Sequence, residues 1–415
     1  MKLAVICIGD ELLKGATLNT NLAYMADCLL ENGIQIQFSA EVQDSKDGII
    51  NALEKAFEHA DWVITSGGLG PTADDVTKEY IAGHLGYRLE ANGDVAVAIT
   101  QYWQERHGDM EMPTRILNQS LVPEGAKILR NRYGTAPGLL IRMDETHPKY
   151  PGKNVIMLPG PPSELEPMFK NAVLPVLKKE VQQKVYSKCF YICGIGESFV
   201  EERMLPVLNR NPGLSAAYCA SAEYVKLFLK SASCDILGIG IRAVRQEFAD
   251  EMLSDSVSSL AEEVLQLLRE KEETLATAES CTGGLLAKMI TDVPGASDVY
   301  QGSVVSYANR IKEMMLGVKT ETLEAKGAVS PETAGEMVRG IAERFGVTAA
   351  IATTGIAGPD GGTPEKPVGL VYVGIVYRDS CEVLELHLQK SRQQIRERAA
   401  AQALNRLRQM IRKEF

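Results

Sequence analysis

The chain has 415 residues, which at roughly 150 residues per domain predicts about two to three domains, each long enough to bury its own core. Apolar residues make up 45% of it and charged residues 24%, proportions that exclude wholesale disorder. With 44 basic and 54 acidic residues the net charge is −10, which lacks the electrostatic footprint of a nucleic-acid binder, so no nucleic-acid partner is expected.

The 8 cysteines are scattered without a CxxC pair, and Cys189 and Cys193 have no second pair at zinc-like spacing. Free thiols in a reducing, cytoplasmic compartment are the expectation. Asp10 and Glu11 interrupt the first apolar stretch too early for a signal peptide. No apolar run reaches the roughly 18 residues of a membrane span, so no membrane partner is expected.

In chain order, strands are predicted over 3–8, 34–42, 62–65, 138–142 and 155–158, with helices over 22–31, 48–59 and 75–85. This alternation implies an α/β layer with a mostly parallel sheet. Ser163 reads as the N-cap of a last helix. The next stretch is small-format α+β, with strands over 188–193, 222–230 and 236–243 and a helix over 198–208. A linker around 247–255 leads to an amphipathic helix over 257–271. Strands then follow over 274–278, 298–306, 349–353 and 368–377, expected to feed one sheet edge, with helices over 284–291, 331–345 and 394–413. The expected fold class is α/β and multidomain, divided at 1–178, 179–253 and 254–415.

In the first segment, loops over 9–15, 65–75 and 159–164 each follow a predicted strand and should meet on one edge of the sheet. Gly67, Gly68 and Gly70 let the backbone approach a ligand, and helix-start amides beside Thr72 and Gly160 suit a phosphate. A plainer reading makes Thr72 an N-cap completed by Asp75. Glu11, Asp74, Asp75 and Glu164 offer the oxygen ligands that Mg²⁺ or a similar divalent metal prefers.

The last segment holds Thr277-Ala278-Glu279-Ser280-Cys281-Thr282-Gly283-Gly284, again strand, loop and helix. Ser280 or Cys281 is a candidate nucleophile there, with Thr282, Gly283 and Gly284 lining a turn whose amides favour developing negative charge. Its single histidine, His387, sits in a predicted strand far from this loop in sequence, so a Ser-His-Asp arrangement is poorly supplied. Lys312 is the alternative base, at a strand-to-helix turn with Tyr307 and Asn309; desolvation or a neighbouring cation, for which Arg310 is the candidate, would have to lower its pKa. Thr354, Gly355 and Gly358 open a glycine-rich loop that suits an anion.

Taken together, these motifs resemble the CinA family of competence/damage-inducible proteins over essentially the whole chain. The first segment is similar to the MogA/MoaB-type molybdopterin-binding fold, which in this family is associated with metal-dependent ADP-ribose pyrophosphatase activity. The middle segment resembles the family's KH-type module, which makes a homodimer the expected assembly. The last segment is similar to nicotinamide-nucleotide amidohydrolases of the PncC type, through the stretches 278–284, 306–312 and 354–362. The resemblance implies Ser280 as nucleophile, Lys312 as its basic partner, Tyr307 assisting and Arg396 as a site arginine, with Arg392 and Arg398 as neighbouring alternatives. It implies a bifunctional hydrolase of pyridine-nucleotide salvage. The last domain would deamidate nicotinamide mononucleotide (NMN) without a cofactor, and the first would cleave ADP-ribose with a divalent metal. The alternative for the first domain is a nucleotide- or molybdopterin-binding regulatory module without turnover.

Overall fold

The structure, a computed structural model, describes residues 1–181 and 185–413; the predicted middle and last segments also include 182–184 and 414–415, which lie outside the described residues. The chain divides into two compact units, the first comprising 1–187 with 230–234 and the second 188–229 with 235–415.

The first unit is built from β1 (Leu3–Ile8), α1 (Thr20–Glu31), β2 (Ile36–Val42), α2 (Lys46–His59), β3 (Trp62–Ser66), α3 (Thr77–Leu85), α4 (Gly93–His107), β4 (Lys127–Leu129), β5 (Gly138–Arg142), β6 (Asn154–Leu158) and α5 (Pro162–Met168). Every residue of β1, β3 and β6 is buried, as expected of strands covered on both faces. They sit inside a six-stranded sheet of order β2-β1-β3-β6-β5-β4. β1 runs parallel to β2 and β3, and β3 to β6, so the loops that leave β1, β3 and β6 share one edge. Asn19 and Ser45 start α1 and α2 by accepting the amides of Leu22 and Gly48.

Two expected caps are corrected. Ser163 is not an N-cap: α5 begins at Pro162, where a ring that fixes φ and lacks an N–H is well tolerated. Thr72 does not cap α3, which begins at Thr77. Its amide and hydroxyl instead donate to Asp75 Oδ2, at 2.9 and 2.5 Å, closing a turn ahead of the helix.

The middle stretch carries β7 (Tyr186–Cys193), α6 (Glu197–Arg210), β8 (Leu214–Ala220), β9 (Tyr224–Ser231) and α7 (Cys234–Glu247), with the strands in the order β8-β9-β7. The strand expected over 236–243 is thus a helix. Its apolar residues alternate with glycines in a way that imitates period two, yet Leu237, Gly240 and Val244 form one buried stripe at helical spacing. β8, missed in the sequence, begins with a buried leucine and alternates with half-buried alanine and tyrosine, a weak signal.

The remainder follows as α8 (Leu260–Glu270), β10 (Leu275–Glu279), α9 (Leu285–Thr291), β11 (Tyr300–Val305), α10 (Asn309–Leu316), α11 (Thr320–Lys326), α12 (Pro331–Phe345), β12 (Ala349–Gly355), β13 (Leu370–Tyr377), β14 (Ser380–His387) and α13 (Arg392–Arg412). The sheet order is β11-β10-β12-β13-β14. Leu275 and Ile351 face a core closed by α8 and α13. The intervening small residues, Ala276, Ala278, Ala350 and Ala352, receive Met337, Val338 and Ile341 of α12 on the other face.

β10, β11 and β12 are parallel, so the loops that follow them share one edge. The expectation that every strand feeds that edge is corrected for β13, which pairs antiparallel with β12. No crossover helix separates the two, and a direct loop returns the chain on the same side. No helix among the described residues is long and apolar enough to cross a membrane.

Candidate active site

The turn after β10 presents Ser280, 9% exposed, to Lys312 of α10, 1% exposed, with 3.1 Å between Oγ and Nζ. Nζ also donates to the Ser306 carbonyl at 2.6 Å. Ser306 is itself fixed by its amide, which donates to Glu279 O at 2.8 Å across β10 and β11. A neutral amine in this position keeps one N–H on Ser306 and turns its lone pair to the serine hydroxyl. Burial pushes Lys312 below the ordinary lysine range and so favours that neutral form. Of the two expected routes, burial is the one found: Arg310 is exposed and is not among the causes.

The turn is held from inside. Glu279, wholly buried, accepts the amides of Gly284 and Leu286 through Oε2, at 2.9 and 3.1 Å, and of Ala287 through Oε1 at 2.7 Å. This carboxylate satisfies the orphan donors at the start of α9, with Gly284 in the left-handed region at φ +91°. The Gly283 amide donates to Ser280 O. The Cys281 and Thr282 amides bear on the Cys281 thiol. Cys281 is buried and its thiol is pushed up to about 12, chiefly by desolvation, so the reactive thiolate is scarce near neutral pH.

The other residues named from the sequence are placed as follows. Thr282 Oγ1 lies 2.7 Å from Thr353 Oγ1, and its carbonyl accepts Arg396 Nη2 at 2.6 Å and Nε at 3.2 Å. Arg396 therefore reaches the Ser280 turn, Arg392 holds the Gly358 carbonyl at 2.6 Å, and Arg398 lines a separate cavity. Thr354 turns away to donate to Ala328 O, and Gly355 packs against Leu370 and Val371. Tyr307 is 66% exposed on the loop after β11, and Asn309 opens α10 on the surface. No hydrogen bond joins Tyr307 to Ser280 or Lys312 among the described residues.

On the shared edge of the first unit, Asn21 Nδ2 donates to Ser66 Oγ at 2.9 Å and to Gly160 O at 2.6 Å, tying two of the loops together. Gly67 and Gly68 have φ of +108° and +68°; a side chain on Gly67 would strike Ile8 O, and one on Gly68 would strike Thr77 Oγ1. Gln119 supports the turn by donating to Leu69 O. Gly70 lies against the Asp75 carboxylate.

The carboxylates expected to hold a metal do not form one ligand set: Glu11 and Asp74 bear on Asp44, but the others are engaged elsewhere. Asp75 is engaged by Thr72, Glu164 accepts Asn131 Nδ2 at 2.7 Å, and Glu11 folds back over Gly9. Among the described residues no group of three or more His, Cys, Asp or Glu side chains is arranged to hold a metal ion. Sequence reading missed Asp44, which accepts the Asp10 amide at 3.0 Å. Its carboxyl is pushed up by burial and then by the charges of Glu11, Asp10 and Asp74. The signal was its place in the loop after β2, on the same edge.

A serine hydroxyl on a buried lysine, at a strand-turn-helix on the edge of an α/β sheet, defines the class of this second unit. Comparison with known proteins gives the family. Residues 257–411 match the family model for the CinA C-terminal domain, and residues 4–179 match that described as "Probable molybdopterin binding domain". A protein of Thermoanaerobacter pseudethanolicus named as competence-damage inducible is 43% identical over 99% of this chain and 98% of its own. A CinA-like protein of Kosmotoga olearia is 41% identical over 99% of each. Among solved structures, the competence/damage inducible protein CihA of Agrobacterium tumefaciens is 41% identical, covering 36% of this chain and 91% of that one, with a TM-score of 0.35. The chain belongs to the CinA family.

Proposed function

We propose that the second unit is an amidohydrolase that deamidates NMN to nicotinic acid mononucleotide, with Ser280 as nucleophile and Lys312 as its base. The observation that carries this reading is the 3.1 Å approach of Ser280 Oγ to a lysine removed from water. Oγ attacks the carboxamide carbon while its proton passes to Nζ. Nζ returns the proton to the leaving nitrogen, and ammonia departs from an acyl-serine. Water, deprotonated by Nζ, then attacks the ester, and the released carboxylate leaves Ser280 protonated again. The choice of NMN rests on the resemblance to nicotinamide-nucleotide amidohydrolases.

For the first unit the proposal is the more modest one: binding of a nucleotide or pterin at the Gly67–Gly70 turn. As arranged, the carboxylates do not fit a metal centre, so no cleavage step is derived for ADP-ribose. The test is product analysis with NMN and ADP-ribose supplied separately, each with EDTA and with Mg²⁺. NMN deamidation is expected under both conditions, and absent from Ser280→Ala. A parent enzyme inert toward NMN would remove the amidase reading. Mg²⁺-dependent release of AMP from ADP-ribose would overturn the binding-only reading of the first unit.

A further inference from the structure

We propose that the second unit carries another ligand site, for a phosphate-bearing small molecule, in a cavity between the Gly194–Glu197 turn and the outer face of α13. The cavity has a volume of about 410 Å³, within the ordinary range for small-molecule pockets. Arg398, Gln402, Asn405 and Gln409 line it from successive turns of one helix, and the 220–225 turn closes it. It lies apart from the Ser280 turn, which α13 meets through Arg396.

Three observations point to a ligand. Asn405 is 8% exposed, its Oδ1 accepts Arg408 Nε at 3.1 Å, and its Nδ2 donor has no partner among the described residues. That donor is aimed at Gly194, where a Cβ would stand only 2.7 Å away. Arg398 is half-buried in the same wall and makes no ion pair or hydrogen bond among the described residues. The third is α6, 14 residues long, which begins at the cavity with Gly196 at its N-cap and no side-chain cap; Phe199 and Val200 donate to Gly196 O, and the amides of Glu197 and Ser198 are left open to an acceptor. Two carboxyls also line the cavity but are engaged: Glu197 accepts the Ala220 amide at 3.1 Å, and Glu223, pushed up by burial, accepts that of Leu260 at 3.4 Å. Arg406 is paired with Glu382. An unpaired guanidinium, an amide donor and uncapped helix amides together select an anion.

The test is calorimetric titration of the full chain with adenosine 5′-monophosphate, alone and against inorganic phosphate. The parent should show a saturable component that phosphate competes away, weakened by about tenfold or more in Arg398→Ala. Ser280→Ala should leave it unchanged. The proposal fails if no saturable component is found, if Arg398→Ala and Gln402→Ala both match the parent, or if phosphate does not compete. It also fails if the Arg398-dependent component disappears in Ser280→Ala, since the ligand would then occupy the amidase site.

Discussion

At the scale of single residues, the proposed chemistry rests on where Lys312 keeps its proton. An isolated lysine is almost wholly protonated at neutral pH; one buried against Ser280 Oγ and Ser306 O is displaced toward the amine. The same displacement ties stability to pH. Between the lowered folded value and the ordinary 10.5, the unfolded chain binds more protons than the folded one, so stability gains with rising pH there. Replacing Lys312 by Met removes this dependence. Calorimetric melting of parent and Lys312→Met from pH 7 to pH 10.5 should show the difference moving in the parent's favour as pH rises, and a constant difference would contradict the burial argument. Ser280→Ala should cost at least about 10³-fold in kcat, the scale seen when a nucleophile is removed. Cys281→Ala should retain most of the rate, and native Cys281 should resist alkylation, because its thiol is pushed up to about 12. From the motif alone the serine was one of two neighbours and the resemblance singled it out; its 3.1 Å approach to Lys312 Nζ favours that choice. Arg310 drops out as the candidate cation because sequence adjacency says nothing about which groups share a buried space.

Elements explain why the nucleophile stays in place. Glu279 ends β10 and accepts three amides of the following turn and helix, so it joins strand to helix beneath Ser280. Glu279→Ala would leave three buried donors unpaired, a loss of on the order of 3 kcal/mol measurable by chemical denaturation. Glu279→Gln keeps one acceptor oxygen and should fall between parent and Ala in both stability and kcat. An Ala variant as stable as the parent would show that the turn does not depend on it. A second brace lies in α13, where wholly buried Arg408 donates to Asp250 O at 2.7 Å and Met252 O at 3.0 Å and, with Arg412, meets Glu263. Most elements were legible because their patterns are clean: the largely apolar runs of β1, β3 and β6 and the striped faces of α8 and α12. α7 was not, because glycines at alternate positions disguise a helical stripe. The direction of β13 was not either, since residue pattern alone does not report which way a strand runs. The role of Glu279 was hidden for a related reason: its partners are main-chain amides, which leave no mark in side-chain spacing.

At the scale of the whole molecule, two sheets each bring several strand ends to one edge, and each edge carries glycine-rich turns where open α/β sheets bind ligands. The glycine turns were readable from sequence. The engagement of Asp75 and Glu164 was not, because Thr72 and Asn131 capture them only once the chain is folded. Neither edge should therefore respond to chelation, and NMN deamidation should be unaffected by EDTA. The most direct test of the central claim, that a buried, deprotonated Lys312 activates Ser280, is the pH dependence of kcat/KM for NMN deamidation by the parent chain and Lys312→Met. The account predicts a parent rate that rises with pH through an inflection below the ordinary lysine range, and a variant that loses both the inflection and nearly all of the rate. A Lys312→Met enzyme that kept the parent's rate and profile would contradict it.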